Sequence, residues 1–293
     1  MKTTLWQLAL VRLTAILLTM AFLPLIPIAT VKLGFTSPEY LHRGVLQGPA
    51  SAETETGIVQ AYVETTQGLM SATLGNSLAT GLPVGRLLKG SLEATAPILG
   101  VALLLSMSIG LLLGIAAALG RGGVWLLSVA MAVACVPIVV LAYLALDWLG
   151  AYTDKTAVRL LVPAALLCLY PAYLIASTTR ATLADLSASE NAQFLRACGF
   201  SEQDILVSQA PKPLLLRLLA LVYPTLLYGL SFCFFVEAPF GIPGFGQRFL
   251  SAVQALDYPV IIGFSLSGFL VLTVVELTLA LAQAACDPRL RHG

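Results

Sequence analysis

Long apolar runs that almost lack charged residues recur along this chain. Each run is long enough to cross about 30 Å of hydrocarbon as an α-helix. A charge at mid-bilayer costs at least about 2.5 kcal/mol, so runs of this kind are typical of membrane spans. We predict six transmembrane helices, near residues 10–31, 94–119, 123–147, 160–179, 218–236 and 259–286.

Three polar stretches separate these runs. We predict an external loop at 32–93, a cytoplasmic segment at 180–217 and a Pro/Gly-rich external loop at 237–257. Six spans leave both termini on one side, and the distribution of Lys and Arg slightly favours the cytoplasm for that side. The first run lacks an A-x-A-like cleavage site, so we expect an uncleaved anchor. With no internal repeat or separate soluble stretch, we expect residues 1–293 to form a single transmembrane domain.

Composition supports a membrane protein and excludes several other classes. The chain is 58% hydrophobic and only 11% charged, against about 25% charged residues in soluble domains. Its net charge of +1 offers no basic field for nucleic acid. Five scattered cysteines and two histidines near opposite ends predict neither a disulfide framework nor a metal site.

Motifs of several enzyme classes do not occur in the sequence. No G-x-x-x-x-G-K-[ST] stretch is present to cradle ATP phosphates, and neither H-E-x-x-H nor G-x-S-x-G is found. No histidine falls inside a predicted span, and no nucleophile is paired with a base. The sequence therefore predicts a protein that is not an enzyme and carries no ATPase site of its own.

Two features lie inside the predicted spans. Glu276 is the one ionisable residue well within a span, and intramembrane acids often form proton or ion sites. The alternative is a buried acid that is hydrogen-bonded to a neighbouring helix or faces a polar cavity. Gly110 and Gly114, with Ser106 one turn earlier, form a stripe of small residues that predicts a close contact between two helices.

One polar segment predicts two short helices joined by a glycine turn. Ser187 or Ser189 can cap the first helix, and Gly199 fits the left-handed position that ends it. Ser201-x-x-Asp204 resembles a capping box that opens a second helix, which the following prolines end. Such an exposed element suits a docking partner, although an ordinary connecting loop fits the same pattern.

The placement of this segment resembles the cytoplasmic loop of permease subunits in binding-protein-dependent ABC importers, where a coupling helix docks on the ATPase. Three further stretches are similar to the dipeptide/oligopeptide/nickel branch of that family and occur in the family's order. They are Leu74-Gly-Asn-Ser77 with Pro83-Val84 and the run to Ala117, Val236-Glu-Ala-Pro-Phe240 with the continuation to Val260, and Asp287-Pro-Arg-Leu-Arg291.

The resemblance implies a type I ABC importer permease fold with six transmembrane helices and a coupling helix. It implies a translocation subunit that imports peptides or a related small solute across the cytoplasmic (inner) membrane of a prokaryote. The chain looks like the first permease of a heterodimer. Its implied partners are a second paralogous permease, two ATP-binding subunits that hold ATP and Mg, and an external substrate-binding protein. No cofactor is expected on this chain itself.

The resemblance also assigns roles to individual residues. The family's E-A-A triplet falls on Gln193-Phe194-Leu195. We expect Phe194 and Leu195 to bury against the ATPase and Arg196 to reach acidic groups at the rim of its groove. The expected ATPase-coupling set is Glu190, Phe194, Leu195, Arg196 and Gly199. The expected contacts of the external loop with the binding protein are Glu237, Phe240, Gly244, Phe245 and Asp257.

A stand-alone secondary transporter or channel is the alternative. Such a protein would show inverted repeats with broken helices at mid-membrane, or rings of charge along a pore. Neither pattern is visible in the sequence. Copurification separates the two hypotheses, because only a permease subunit requires ATPase subunits to come down with this chain.

Overall fold

The structure is a computed structural model that describes residues 75–77, 79–120, 122–149 and 156–286, together with Thr14 and Leu18. The predicted first span near 10–31 lies outside the described residues, apart from those two positions. Most of the predicted external loop 32–93 and the C-terminal stretch from Asp287 lie outside them as well.

The described part of the chain is helical and contains no β-strand. Four of its helices, α1, α4, α7 and α10, are long and apolar enough to cross a membrane. The all-α membrane fold is therefore confirmed. The helices are α1 Val84–Leu119, α2 Gly123–Ala134, α3 Ile138–Leu149, α4 Thr156–Ser187, α5 Glu190–Ala197, α6 Glu202–Gln209, α7 Pro211–Phe232, α8 Phe234–Glu237, α9 Phe245–Gln254 and α10 Tyr258–Cys286.

The apolar run at 123–147 does not form one straight helix. It is divided into α2 and α3, which meet at an angle of 82° across a short break. Pro137 lies at this break, where its nitrogen has no hydrogen to donate to a helical carbonyl and its ring crowds the preceding turn. Read as one broken span, the pair raises the number of membrane-crossing segments in the described residues to five.

Several helix ends differ from those predicted. Helix α1 begins at Val84, so the last part of the predicted loop 32–93 is helical. Helix α4 continues beyond 179 as far as Ser187. The predicted loop 237–257 contains the ten-residue helix α9. A charge-free run corresponds only to the part of a helix that lies in hydrocarbon. The polar turns that extend a helix beyond the hydrocarbon carry no such signal.

The chain forms two compact units, and α1 and α10 each contribute to both. Of the described residues, unit 1 contains those within 75–95 and 243–277, and unit 2 contains those within 96–242 and 278–286. In unit 2, helix α4 packs against α2, α3, α6 and α7. Helix α4 is thus the element on which the rest of this unit is assembled.

The predicted close contact of Gly110 and Gly114 is confirmed, and its partner is α4. A Cβ atom added at Gly110 would lie 2.7 Å from the carbonyl oxygen of Ala172. One added at Gly114 would lie 2.5 Å from Cβ of Thr179. Ser106, one turn earlier, is fully buried on the same stripe. Small residues therefore let α1 and α4 approach until backbone and side chains touch.

Candidate functional site

The α5–α6 segment (residues 187–210) links the membrane helices α4 and α7. The hydroxyl oxygen of Ser189 accepts a hydrogen bond from the N–H of Ala192 at 3.3 Å and so caps α5. At the other end, the N–H of Gly199 donates to Arg196 O at 2.9 Å. Gly199 has φ of +91°, as the sequence predicted for a left-handed stop. Both ends of this eight-residue helix are closed by local hydrogen bonds.

Ser201 caps α6, as the sequence predicted, but the carboxylate of Asp204 accepts a bond from the hydroxyl of Ser201 and not from its N–H. The hydroxyl of Ser201 accepts from the N–H of Asp204 at 3.2 Å and donates to its carboxylate at 2.6 Å. The prolines that follow do more than end α6. Pro211 is the first residue of α7, where a missing N–H costs nothing because that position has no helical acceptor. The turn between α6 and α7 therefore needs only Ala210.

Arg196 holds the segment together from within. Its guanidinium donates to the carboxylate of Glu202 through Nε and Nη2, and Nη2 also donates to Ser187 O at 2.6 Å. Arg196 therefore ties α5 to the end of α4 and to the start of α6. The sequence assigned this side chain to a partner's acidic rim, but its hydrogen bonds in the structure are made within the chain.

The same ion pair shifts both ionisation equilibria. The hydrogen bond from Arg196 lowers the pKa of the Glu202 carboxyl below its ordinary value, and the pKa of Arg196 is raised by the same bond. Both groups are exposed to solvent, where an ion pair contributes little to stability. The pair therefore sets the geometry of the segment more than its stability.

The surface of the α5–α6 segment carries two exposed aromatic rings. Phe194 is 65% exposed and Phe200 is 55% exposed. Leu195, the second predicted anchor, is half-buried, whereas the fully buried Ala192 and Ile205 attach the two short helices to unit 2. Phe200 was not selected from the sequence. The sequence does offer one indication of its role, because Phe200 directly follows the left-handed Gly199, and that turn fixes the direction in which the chain leaves the helix.

The first part of the predicted external loop 237–257 forms a hydrogen-bonded turn within unit 2. Glu237 is fully buried, and its carbonyl oxygen accepts from the N–H of Ile242 at 2.9 Å. Phe240 is buried as well. From the start of α4, the guanidinium of Arg159 donates to Gly241 O at 2.7 Å. The side chains expected to face a binding protein here are instead inside the fold.

The second part of the predicted loop shows the same pattern in unit 1. Asp257 is 2% exposed, and its Oδ2 accepts from the hydroxyl of Ser77 at 2.6 Å and from the N–H of Ala79 at 3.3 Å. Gly244 and Phe245 are buried too. A buried carboxylate that accepts such bonds joins the segment before α1 to the start of α10. Its position fits a structural role more directly than a docking contact.

The backbone turn at Leu256 directs Asp257 into its buried position. Its φ is +55°, the one positive value found for a residue other than glycine within the described residues. The N–H of Leu256 donates to Val253 O at 3.2 Å, and the N–H of Asp257 donates to Ala252 O at 2.9 Å. This is the same helix ending that Gly199 makes after α5, built here with a side chain at the left-handed position.

Glu276 lies within α10 and is half-buried, with one carboxylate oxygen, Oε2, shielded from solvent. The structure is compatible with both interpretations of this residue, so its role stays a prediction. Across the described ranges, His, Cys, Asp and Glu form no group of three or more that could hold a metal ion.

Comparison with known proteins identifies the family. Residues 92–292 match the family of binding-protein-dependent transport system inner membrane components. The chain is 26% identical over 251 residues to a probable peptide ABC transporter permease protein of Sinorhizobium fredii, and the match covers 79% of this chain and 80% of that protein. It is 28% identical over 268 residues to the probable D,D-dipeptide transport system permease protein DdpB of Escherichia coli, with 77% and 78% covered.

A further relative is the dipeptide transport system permease protein DppB of Bacillus subtilis. It is 27% identical over 200 residues, and the match covers 65% of each chain, slightly less than two thirds of that protein's length. The family resemblance inferred from sequence motifs is confirmed. The matched residues take in the α5–α6 segment and nearly all of the described membrane helices, and this chain belongs to the binding-protein-dependent transport system inner membrane components.

Proposed function

We propose that this chain is the membrane-spanning translocation subunit of an ATP-driven importer for peptides or a related small solute. Its family and its similarity to peptide permeases support the proposal. One structural observation carries the mechanism. The capped α5–α6 segment, fastened between two membrane helices, exposes Phe194 and Phe200 to solvent, as a docking surface for a partner would.

The hydrogen bonds of the segment supply a route for coupling. An ATPase that moves α5 also moves the guanidinium of Arg196, which is bonded to the end of α4 and the start of α6. Arg217 and Asp185 form a further bridge of 3.6 Å between the start of α7 and the end of α4. A displacement at the docking surface therefore reaches two membrane helices, which alternating access requires.

The other components complete the machine. Two partner ATPases bind ATP and Mg, and this chain contributes no catalytic group to hydrolysis. A second, paralogous permease forms the other wall of the path, and an external binding protein delivers the solute. Of the coupling set, Phe194 anchors the ATPase, Leu195 supports that anchor, and Gly199 sets the exit from α5. Glu190 lies exposed in the first turn of α5, where its charge favours the helix N-terminus.

The proposed orientation places both termini and the α5–α6 segment in the cytoplasm and α9 outside. Native Cys198 and a Gln254→Cys variant test it, because both positions are exposed. An impermeant thiol reagent added to intact cells should label the Gln254→Cys variant and leave Cys198 unmodified until the cells are lysed. The reverse labelling pattern would overturn the orientation.

Reconstitution tests the function itself. The chain, expressed together with the second permease and the ATPases of the proposed importer, should copurify with both ATPase subunits. In liposomes, ATP hydrolysis should rise when peptide-loaded binding protein is added. Uptake of peptide without ATPase subunits would instead establish a stand-alone transporter and overturn the proposal.

A further inference from the structure

Five aromatic rings form a continuous ladder across three helices of unit 2. The ring of Tyr170 on α4 lies 5.0 Å from that of Tyr228 on α7, measured between ring centroids. Tyr228 lies 4.6 Å from Phe232, which lies 5.8 Å from Phe235 on α8. Phe234 completes the aromatic ladder at 3.9 Å from Phe235. The first three separations lie in the range typical of aromatic pairs, and the last is shorter.

The ladder begins near the middle of the bilayer. Tyr170 precedes Arg180 by ten residues, which is about 15 Å along a helix. Tyr228 follows Arg217 by eleven residues, about 16 Å. Charged residues at the ends of spans lie near the interface, and half of the hydrocarbon thickness is about 15 Å. Both tyrosines therefore lie too deep for the belt of aromatic residues at the membrane surface.

Hydroxyl groups accompany the rings at this depth. On α7, Thr225, Tyr228 and Ser231 follow one another at three-residue spacing, and Ser231 is exposed. Tyr170 is 41% exposed on α4. Within the described residues neither tyrosine hydroxyl has a hydrogen-bond partner. Facing lipid would leave these groups without any partner, which is unfavourable in hydrocarbon. The hydroxyl groups on the exposed face of the ladder therefore need water or a polar ligand as a hydrogen-bond partner.

We propose that the aromatic ladder lines the path of the transported solute and that its rings contact the apolar side chains of a peptide in transit. The inference rests on the proposed function and names the surface that the solute meets. Tyrosine suits such a path, because its ring packs against varied apolar side chains while its hydroxyl bonds backbone groups. Phe232 and the two rings of α8 extend the same surface along the path.

Thiol labelling tests whether water and peptide reach this face. Tyr170→Cys and Ser231→Cys variants of the reconstituted importer are compared with Leu104→Cys, an apolar position on α1 that is 68% exposed. A charged methanethiosulfonate reacts with thiolates, which form in water and not in lipid. The exposed native cysteines, Cys135, Cys198 and Cys286, are first replaced by serine.

We expect the Tyr170→Cys and Ser231→Cys variants to react at least about tenfold faster than the Leu104→Cys variant, because only these two positions face water. Saturating peptide should slow both reactions severalfold. Slow reaction at all three positions would mean that lipid or the second permease covers the face, and the inference would be wrong. Fast reaction that peptide does not slow would place the solute elsewhere and would overturn it equally.

Substrate preference provides a second readout. Tyr228→Ala should lower import of a leucine-rich tripeptide by roughly three- to tenfold relative to a glycine-rich one, the size of one lost aromatic contact. Tyr228→Phe keeps the ring and should retain the preference. Equal losses for both peptides would show a structural role only. Absence of import by the unmodified complex would refute the proposed function, whereas normal import with an unreactive ladder refutes this inference alone.

Discussion

The α5–α6 segment and the 237–257 segment both join long membrane helices through short helices, yet they use their residues in opposite ways. In the first, Arg196 and Glu202 pair at the surface and two phenylalanines remain exposed. In the second, Glu237, Asp257 and both phenylalanines that the sequence selected are buried. The first segment exposes apolar side chains that a partner can contact, whereas the second buries its acidic and aromatic side chains within its own fold. Docking at the second segment would fall to its exposed residues, among them Ala238, Gly241 and Gln254.

Removal of the Asp257 carboxylate should have the largest effect. Asp257→Ala leaves the buried hydroxyl of Ser77 without this acceptor, at about 1–3 kcal/mol. The N–H of Ala79, on an exposed residue, loses only a longer bond that water can replace. We expect a lower unfolding temperature in detergent and a poor yield of assembled complex. Gln254→Ala, an exposed change on α9, is the matched control and should leave both unchanged.

Charge reversal at the same position sharpens the test. From the sequence alone, Asp257→Lys would weaken docking of the binding protein and leave assembly intact. Because the site is buried, we now expect loss of assembly, since an unpaired buried charge is strongly destabilising. A stable complex that only binds its external partner more weakly would restore the docking role.

Truncation of the exposed phenylalanines should affect binding and not folding. Phe194→Ala should weaken binding of the ATPase by about 2 kcal/mol, roughly 30-fold, if this ring is buried at the interface. Phe200→Ala should act in the same direction. Both rings are exposed in the free chain, so the unfolding temperature should not change. Titration of the ATPase into the membrane subunits measures the effect, with Leu104→Ala as the control.

Equal ATPase binding by the Phe194→Ala, Phe200→Ala and unmodified proteins would show that α5 is only a connector. A fall in thermal stability together with the loss of binding would point to a packing role. Either result would remove the contrast between the two segments.

The two left-handed helix endings allow a reciprocal exchange. Gly199→Val should cost roughly 1–2 kcal/mol locally and impair coupling, because φ of +91° is unfavourable for a β-branched residue. Leu256→Gly relieves the same strain at φ of +55° and should be tolerated in folding. Stimulated ATP hydrolysis and unfolding temperature are the readouts. Normal coupling in the Gly199→Val variant would contradict the assigned role of this turn.

The exposed ion pair should have the smallest effect. Since Arg196 lowers the pKa of Glu202, the pair's contribution is fully present above the ordinary glutamate value of 4.5 and is lost as pH falls through the lowered pKa. The protection of the α5 amides against hydrogen exchange, corrected for the intrinsic exchange rate at each pH, should therefore be constant at neutral pH and fall only in acid. Glu202→Gln should lower this protection slightly at neutral pH and have no further effect in acid, where the pair is already lost. A change near neutral pH would show that another group titrates.

Much of the fold could be predicted, because hydrophobic runs report membrane spans directly. The endings of α5 and α6 were also readable, since Ser189, Gly199 and Ser201 are residue types that one local geometry favours. Leu256 makes the same ending as Gly199 without any such signal, so α9 was predicted as loop. A turn of this kind can be predicted from sequence only where the residue at its left-handed position is one, such as glycine, that favours that conformation.

Partner contacts were harder to predict than elements. Phe194, Phe240 and Phe245 look alike in sequence, and only the fold decides that the first is exposed and the other two are buried. Arg196 was expected to reach a partner, but Glu202 lies six residues away and meets it through the glycine turn. Which charges pair within a chain depends on how its turns bring them together, and spacing alone does not report this.

The length of α4 has a consequence for the life of the unassembled subunit. From Arg159 to Arg180 the helix covers about 31 Å, the thickness of the hydrocarbon, so its last seven residues carry α5 roughly 10 Å beyond the edge of the hydrocarbon. Phe194 and Phe200, exposed on the segment that follows, therefore lie outside the hydrocarbon. Until a partner covers them, these two rings add apolar surface to the free subunit, and exposed apolar surface favours non-specific association. We expect the unassembled subunit to aggregate more readily than the assembled complex.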